Sequence, residues 1–203
     1  MRGARTRAMR LVSTAATCVC ALLVVAVAVG PASASTALPL TARVLQTGEL
    51  ARMKPLSPPV VVHGASAWVT ASFPKSSRAA ELARFRSLGF VAGIDENLVT
   101  PGNTDRYGLS VMEEFSSATA ASAELAHAAA ANPTWTRFAV PGIPRARGFE
   151  LTRGASPGRT LAFTDGPFYY IVGAGWLGSS SNAVSRVQLI STALALYQRV
   201  HGR

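Results

Sequence analysis

The beginning of the chain contains a long apolar stretch without charge, which indicates that this part does not belong to the folded domain. Residues 11–29 carry no charged side chain and follow four arginines within the first ten residues. Gly30-Pro31 ends the stretch, and the small residues Ala32-Ser33-Ala34 come next. A basic start, an apolar middle and a small-residue cleavage site are the three parts of a secretory signal. We therefore expect residues 1–34 to be a signal peptide that is cut between Ala34 and Ser35.

The alternative is a signal that stays attached as a membrane anchor. A helix needs about 20 apolar residues to cross the hydrocarbon core, and residues 11–29 come close to that length. Gly30-Pro31 would break a helix at its end, which favours cleavage. A cleaved chain is secreted or otherwise extracytoplasmic, whereas an uncleaved one is a membrane-anchored, sensor-like domain.

The positions of the cysteines and the net charge limit how the exported part can be stabilised and which partners it can bind. Both cysteines, Cys18 and Cys20, lie inside the signal, so the remaining 169 of the 203 residues have no disulfide and depend on their core. Without the four signal arginines, 16 Lys and Arg face 10 Asp and Glu, a formal charge of +6. That excess suits an anionic envelope component as partner, and an apolar envelope component is the other possibility. Because no basic stripe is interleaved with aromatic residues, nucleic acid is not predicted as a partner.

The pattern after the signal predicts one domain. Residues 35–75 are punctuated by prolines and are expected to be irregular, apart from a short strand at 60–62 and a short helix at 65–70. Residues 76–203 are expected to form an α+β domain, a single antiparallel sheet with helices packed on one face, because hairpin-linked strands follow one another between helices. The expected elements are helices 77–88, 118–131 and one capped by Asn182, and strands 90–94, 107–115, 134–140, 146–152, 159–164 and 168–174.

The sequence also specifies details of the last two strands and the last helix. Asp165-Gly166 predicts a hairpin with a type I′ turn between strands 159–164 and 168–174. Leu161 and Phe163 should then face the core helices. Pro167 disfavours the α conformation at Gly166, which leaves a wider turn open. The last helix should bury a stripe of apolar residues at helical spacing, namely Val187, Ile190, Leu194 and Tyr197.

The sequence matches that could indicate a cofactor-binding, metal-binding or catalytic site lack the neighbouring elements or residues that such a site requires. Gly173–Gly178 matches G-x-G-x-x-G, but no helix follows directly and no second strand or acid comes after it, as a dinucleotide site requires. The histidines His63, His127 and His201 have no second ligand at metal spacing. There is no G-x-S-x-G nucleophile elbow. We therefore predict no catalytic, cofactor-binding or metal-binding residue.

Five residues are candidates for contact with a ligand. Glu113 shares the alternation of Val111 and Phe115, so its carboxylate points inward and needs a partner such as Arg137 or Arg147. The other possibilities are that Glu113 reaches water at the strand end or that a bulge turns it outward. Trp68 and Tyr170 could line a pocket or belong to the core. A wider set of arginines with one acid, Glu150, either meets an anion or guards a sheet edge: Arg137, Arg145, Arg147, Arg153 and Arg159.

Three segments carry a resemblance to known domains. They are Phe85–Gly93, the strand with Glu113 and Phe115, and Leu161–Gly166 followed by Tyr169-Tyr170. The chain resembles exported and lipoprotein-type domains of actinobacteria, and its layout is similar to PsbP-like domains and to extracellular sensor domains of receptor kinases. Those sensor domains usually carry disulfides, which the exported part of this chain lacks. The resemblance implies an exported, non-catalytic binding or cell-envelope interaction domain. The rival is a small secreted hydrolase that uses Glu113 or His127.

Overall fold

Eight antiparallel strands form one sheet at the centre of the molecule. The computed structural model describes residues 38–131, 133–151, 157–177 and 183–201. The signal peptide and its cleavage site between Ala34 and Ser35 lie outside the described residues, as does the expected cap Asn182. The strands are β1 (Lys54–Pro55), β2 (Val62–His63), β3 (Phe90–Thr100), β4 (Asn103–Phe115), β5 (Thr136–Phe138), β6 (Arg147–Leu151), β7 (Gly158–Asp165) and β8 (Phe168–Trp176). Their order in the sheet is β1-β3-β4-β8-β7-β6-β5, and β2 pairs with β3 beside β1.

Helices cover both faces of the sheet. The helices are α1 (Ala65–Ser72), α2 (Arg78–Ser87), α3 (Ala118–Ala130) and α4 (Arg186–Val200), preceded by a 3-10 turn at Leu40–Arg43. The first three lie on one face with an aromatic core that includes Phe85 and Phe115. Helix α4 lies on the other face, over Phe163 and Val172. None of the helices in the described residues is both long and apolar enough to cross a membrane.

The antiparallel α+β fold is confirmed, but the helices are not confined to one face as expected. The reason is that the central strands are apolar at consecutive positions. In β4, Val111 belongs to the α1–α3 side and Met112 to the α4 side, and both are fully buried. In β8, Tyr169 and Tyr170 divide in the same way. A strand that is apolar on both faces must be covered on both.

The described part of segment 35–75 packs into the same core as the rest of the chain. Val44, Leu45, Leu50 and Met53 are at most 1% exposed and lie on the α4 side of the sheet. The short helix expected at 65–70 is present as α1, whereas the strand expected at 60–62 is displaced to β2 (Val62–His63), because pairing with Gly93 and Ala92 at the edge of β3 sets its position.

The last hairpin pairs as expected but turns one residue later. Asp165 is opposite Phe168, so Gly166 and Pro167 are the two turn residues. Gly166 has φ +55°. A type I′ turn needs positive φ at both positions, which the proline ring forbids. The turn therefore has the type II′ pattern, with glycine first. Leu161 and Phe163 are fully buried on the α4 side, which confirms their expected direction.

Helix α4 is rotated relative to the stripe expected from its sequence. Its buried side chains are Leu189, Thr192, Ala193, Leu196 and Val200, whereas Val187 is 74% exposed. Ser185 caps the helix in a capping box with Gln188, so the helix begins at Arg186. The three other residues of the expected stripe are partly buried at its flank.

Candidate functional site

Glu113 and Trp68 meet inside the core on the α1–α3 side. The Trp68 indole N–H donates to Glu113 Oε1 at 3.1 Å, and the two residues are 0% and 2% exposed. Glu113 therefore points inward, as the alternation of β4 indicated, and Trp68 stacks on Phe90 with ring centroids 5.5 Å apart. Two of the five candidates thus lie together, as a buried and hydrogen-bonded pair.

Tyr170 lies on the opposite face of the sheet. Its hydroxyl accepts a hydrogen bond from Arg43 Nη1 at 3.0 Å and is fully buried. Burial raises the pKa of Tyr170 to about 12, although Arg43 acts against that rise. Phe163 stacks on its ring. Tyr170 is therefore a core residue that ties the 3-10 turn to the sheet.

Several of the clustered arginines are bound to the protein itself. Arg137 donates to the carbonyl of Ala129 at the end of α3, at 3.3 Å. Arg159 and Arg186 both bind the Glu150 carboxylate. Burial opposes ionisation of Glu150, but the hydrogen bonds from these two arginines hold its pKa below the usual value. Arg153 lies outside the described residues.

Arg145 and Arg147 differ from the other clustered arginines because they line a concavity between α3 and the adjoining end of the sheet. The concavity measures about 310 Å³. We call it the arginine concavity, and its lining consists of Ser122, Leu125, Ala126, Arg145, Arg147 and Thr164. Within the part of the chain that the structure describes, neither guanidinium forms an ion pair with a carboxylate. The lining thus combines two cations and two hydroxyls with the apolar side chains of Leu125 and Ala126.

The backbone fixes Arg145 in an unusual conformation. Its φ is +59°, a left-handed value that non-glycine residues seldom adopt. The same loop is held down by Ile143, which is 4% exposed. Strained residues persist where the surrounding structure imposes them, and they concentrate at binding sites. Arg147 follows two residues later, at the start of β6. The loop thereby delivers both guanidinium groups to one concavity.

A second, more open concavity lies at the beginning of α1. Its volume is about 510 Å³, and it is lined by His63, Gly64, Ala65, Ser66, Ala67, Arg86, Gly89 and Phe90. It offers one arginine, one imidazole and the N-terminal backbone of a helix of eight residues. Most of its lining residues are exposed and only Phe90 is buried, so it encloses a ligand less than the arginine concavity does.

The histidine proposed for a hydrolase, His127, lies on α3 near an ion-pair cluster. Arg84 binds both Glu81 and Glu124, each at most 6% exposed. Burial and then Arg84 lower the pKa of His127, while Glu81 acts in the opposite direction. In the described ranges, no three His, Cys, Asp or Glu side chains are placed to hold a metal ion together.

Sequence analysis identified Arg147 as a candidate and Arg145 only as a member of a cluster. The polar residues Ser122 and Thr164 were missed, because a single hydroxyl on a helix or strand has no distinctive pattern. The one available signal is the spacing Arg145-x-Arg147 after Pro141-Gly142, a turn followed by the start of a strand.

Comparison with solved structures finds a neighbour in fold. The chain is similar to the extracellular domain of PknH from Mycobacterium tuberculosis, with a TM-score of 0.50 and 13% sequence identity. The similarity covers 79% of this chain and 95% of that domain. No protein-family model and no curated protein sequence matches the chain. At this identity the likeness concerns the fold alone.

Proposed function

We propose that the protein is an exported, non-catalytic binding domain whose ligand carries an anionic group that enters the arginine concavity. The observation that supports this most strongly is the pair Arg145 and Arg147, two guanidiniums without a described carboxylate partner beside two hydroxyls. Every other arginine of the expected cluster within the described residues binds a backbone carbonyl or Glu150.

An oxyanion suits this arrangement for a physical reason. The planar guanidinium donates two parallel hydrogen bonds to a carboxylate, sulfate or phosphate, and such charge-assisted bonds are stronger than neutral ones. Ser122 and Thr164 can donate further hydrogen bonds, while Leu125 and Ala126 offer a surface to the apolar part of a ligand. The formal charge of +6 on residues 35–203 attracts anions to the molecule as a whole.

Export is supported by the N-terminal pattern and by the neighbour. Residues 1–34 have the three parts of a secretory signal, and the neighbour in fold is itself an extracellular domain. If the signal is retained, residues 11–29 anchor the same domain to the membrane, and the arginine concavity becomes the ligand site of an anchored sensor-like protein.

The experiment is an NMR titration with inorganic phosphate, sulfate and acetate as probes. We expect saturable shifts of the amides of Ser122, Leu125, Ala126 and Thr164. The double variant R145Q/R147Q should lose them. The matched control K54Q/K75Q removes two exposed positive charges elsewhere and should keep them.

Two outcomes would overturn the proposal. One is the absence of any saturable shift with all three anions. The other is a set of shifts around Arg86 that survives R145Q/R147Q and disappears in R86Q, which would place the anion in the second concavity.

A further inference from the structure

Glu96 is a buried acid whose carboxylate has no hydrogen-bond partner among the described residues. It is 3% exposed, and neither of its carboxylate oxygens has a partner within the described residues. It lies on β3 between Ile94 and Leu98, whose side chains belong to the core under α4. A buried carboxylate in such a setting is costly when it is ionised and tolerable when it is protonated.

The segment Val44–Met53, which we call the strap, packs over the same side of the sheet. Leu45 N–H donates to Ser110 Oγ at 2.9 Å, and Ser110 is paired with Glu96 across the strands. Thr192 Oγ1 donates to the Glu49 carbonyl at 3.0 Å. Arg199 binds both the Glu49 carboxylate and, at 2.8 Å, the Val44 carbonyl. The strap is thus fastened to α4 at one side and to β4 at the other.

The strap is also strained. Ala51 and Arg52 have φ values of +48° and +64°, so two consecutive non-glycine residues are left-handed. Such conformations persist only while the surrounding contacts impose them. Loss of those contacts therefore releases strain as well as exposing the strap's apolar side chains.

We propose that the strap is a conformational device, held closed while the Glu96 carboxyl carries its proton and loosened when that proton is lost. Opening brings water to the carboxylate and separates it from Glu49. This inference concerns a different face of the sheet from the arginine concavity and does not depend on anion binding.

The charged groups around Glu96 support this assignment. Burial first, and Glu49 of the strap second, raise the pKa of Glu96 from 4.5 to about 7. Arg199 of α4 is engaged by Glu49, the strand partner Ser110 does not titrate near neutral pH, and Lys54 of β1 is exposed. The closed state binds the proton more tightly than the open state. Closure is therefore favoured fully below about pH 4.5 and loses this support as pH rises through 7.

Hydrogen exchange of the full exported protein, followed by mass spectrometry, tests the device. Between pH 5 and pH 8, after correction for intrinsic exchange, protection of a peptide spanning the strap should fall by roughly 50- to 100-fold. A peptide from α3 serves as the internal reference. In E96Q, which keeps the shape of the protonated side chain, the strap should show no such fall. E114Q, a change on the neighbouring strand, should behave like the wild type.

A second measurement keeps the test independent of the variants. The ¹³C chemical shift of the Glu96 carboxyl in the wild-type protein should titrate with a midpoint near 7, in step with the loss of strap protection. Equal protection of the strap at both pH values, or a midpoint near 4.5, would overturn the proposal.

Discussion

The buried carboxylates of this molecule differ in the groups that lie next to them. Glu150 sits between Arg159 and Arg186 and stays ionised, with a lowered pKa. Glu113 accepts a hydrogen bond from the Trp68 indole. Glu96 has neither kind of neighbour within the described residues, and its pKa is raised to about 7. Glu96 and Glu150 are each 3% exposed, so their different neighbours account for the opposite directions in which their pKa values move.

Replacement of Glu113 should reveal a structural role. In E113A, the Trp68 indole loses its acceptor inside the core, and we expect the free energy of unfolding to fall by about 1–3 kcal/mol. E113Q keeps an acceptor oxygen and should cost less. Urea unfolding measures both. The rival hydrolase predicts something different, namely a turnover in esterase, protease or glycosidase assays that E113A or H127A abolishes while the protein stays folded.

At the level of elements, the β7–β8 turn depends on one glycine. Gly166 has φ +55° and no neighbouring atom within 4 Å of where a Cβ would stand, so strain rather than a clash limits substitution. G166V should therefore lower the free energy of unfolding by about 1–3 kcal/mol. P167A leaves the glycine in place and should cost about 1 kcal/mol or less. An unchanged urea midpoint for G166V would show that the valine meets no strain at this turn.

Local sequence signals predicted the elements well and their finer placement less well. The helix expected over 118–131 is present as α3, which Ser117 caps by accepting a hydrogen bond from the Ala120 amide. The turn residues are Gly166 and Pro167, one position later than the pair Asp165-Gly166 suggested. Proline cannot adopt the positive φ of a type I′ turn, and the pairing along the whole hairpin sets which two residues form the turn. The stripe of α4 was misassigned because Val187 and Leu189 are equally apolar. Only the packing against the sheet selects between them.

At the level of the whole molecule, the sequence did not reveal how the helices are distributed over the two faces of the sheet. Consecutive apolar residues such as Leu161-Ala162-Phe163 imply two buried faces, yet they do not say which helix covers which face. The arginine concavity has the same origin. Arg145, Ser122 and Thr164 come from a loop, a helix and a strand that are distant in sequence, so their convergence is a property of the fold.

Native mass spectrometry of the protein recovered from the exporting cells examines export and binding together. We expect the mass of a chain that begins at Ser35, together with the added mass of a bound anionic molecule. The variant R145Q/R147Q should no longer retain that molecule, whereas K54Q/K75Q should still do so. A chain that is found only in the cytoplasm, or one that carries no anionic molecule and gains none from cell extract, would contradict an exported anion-binding domain.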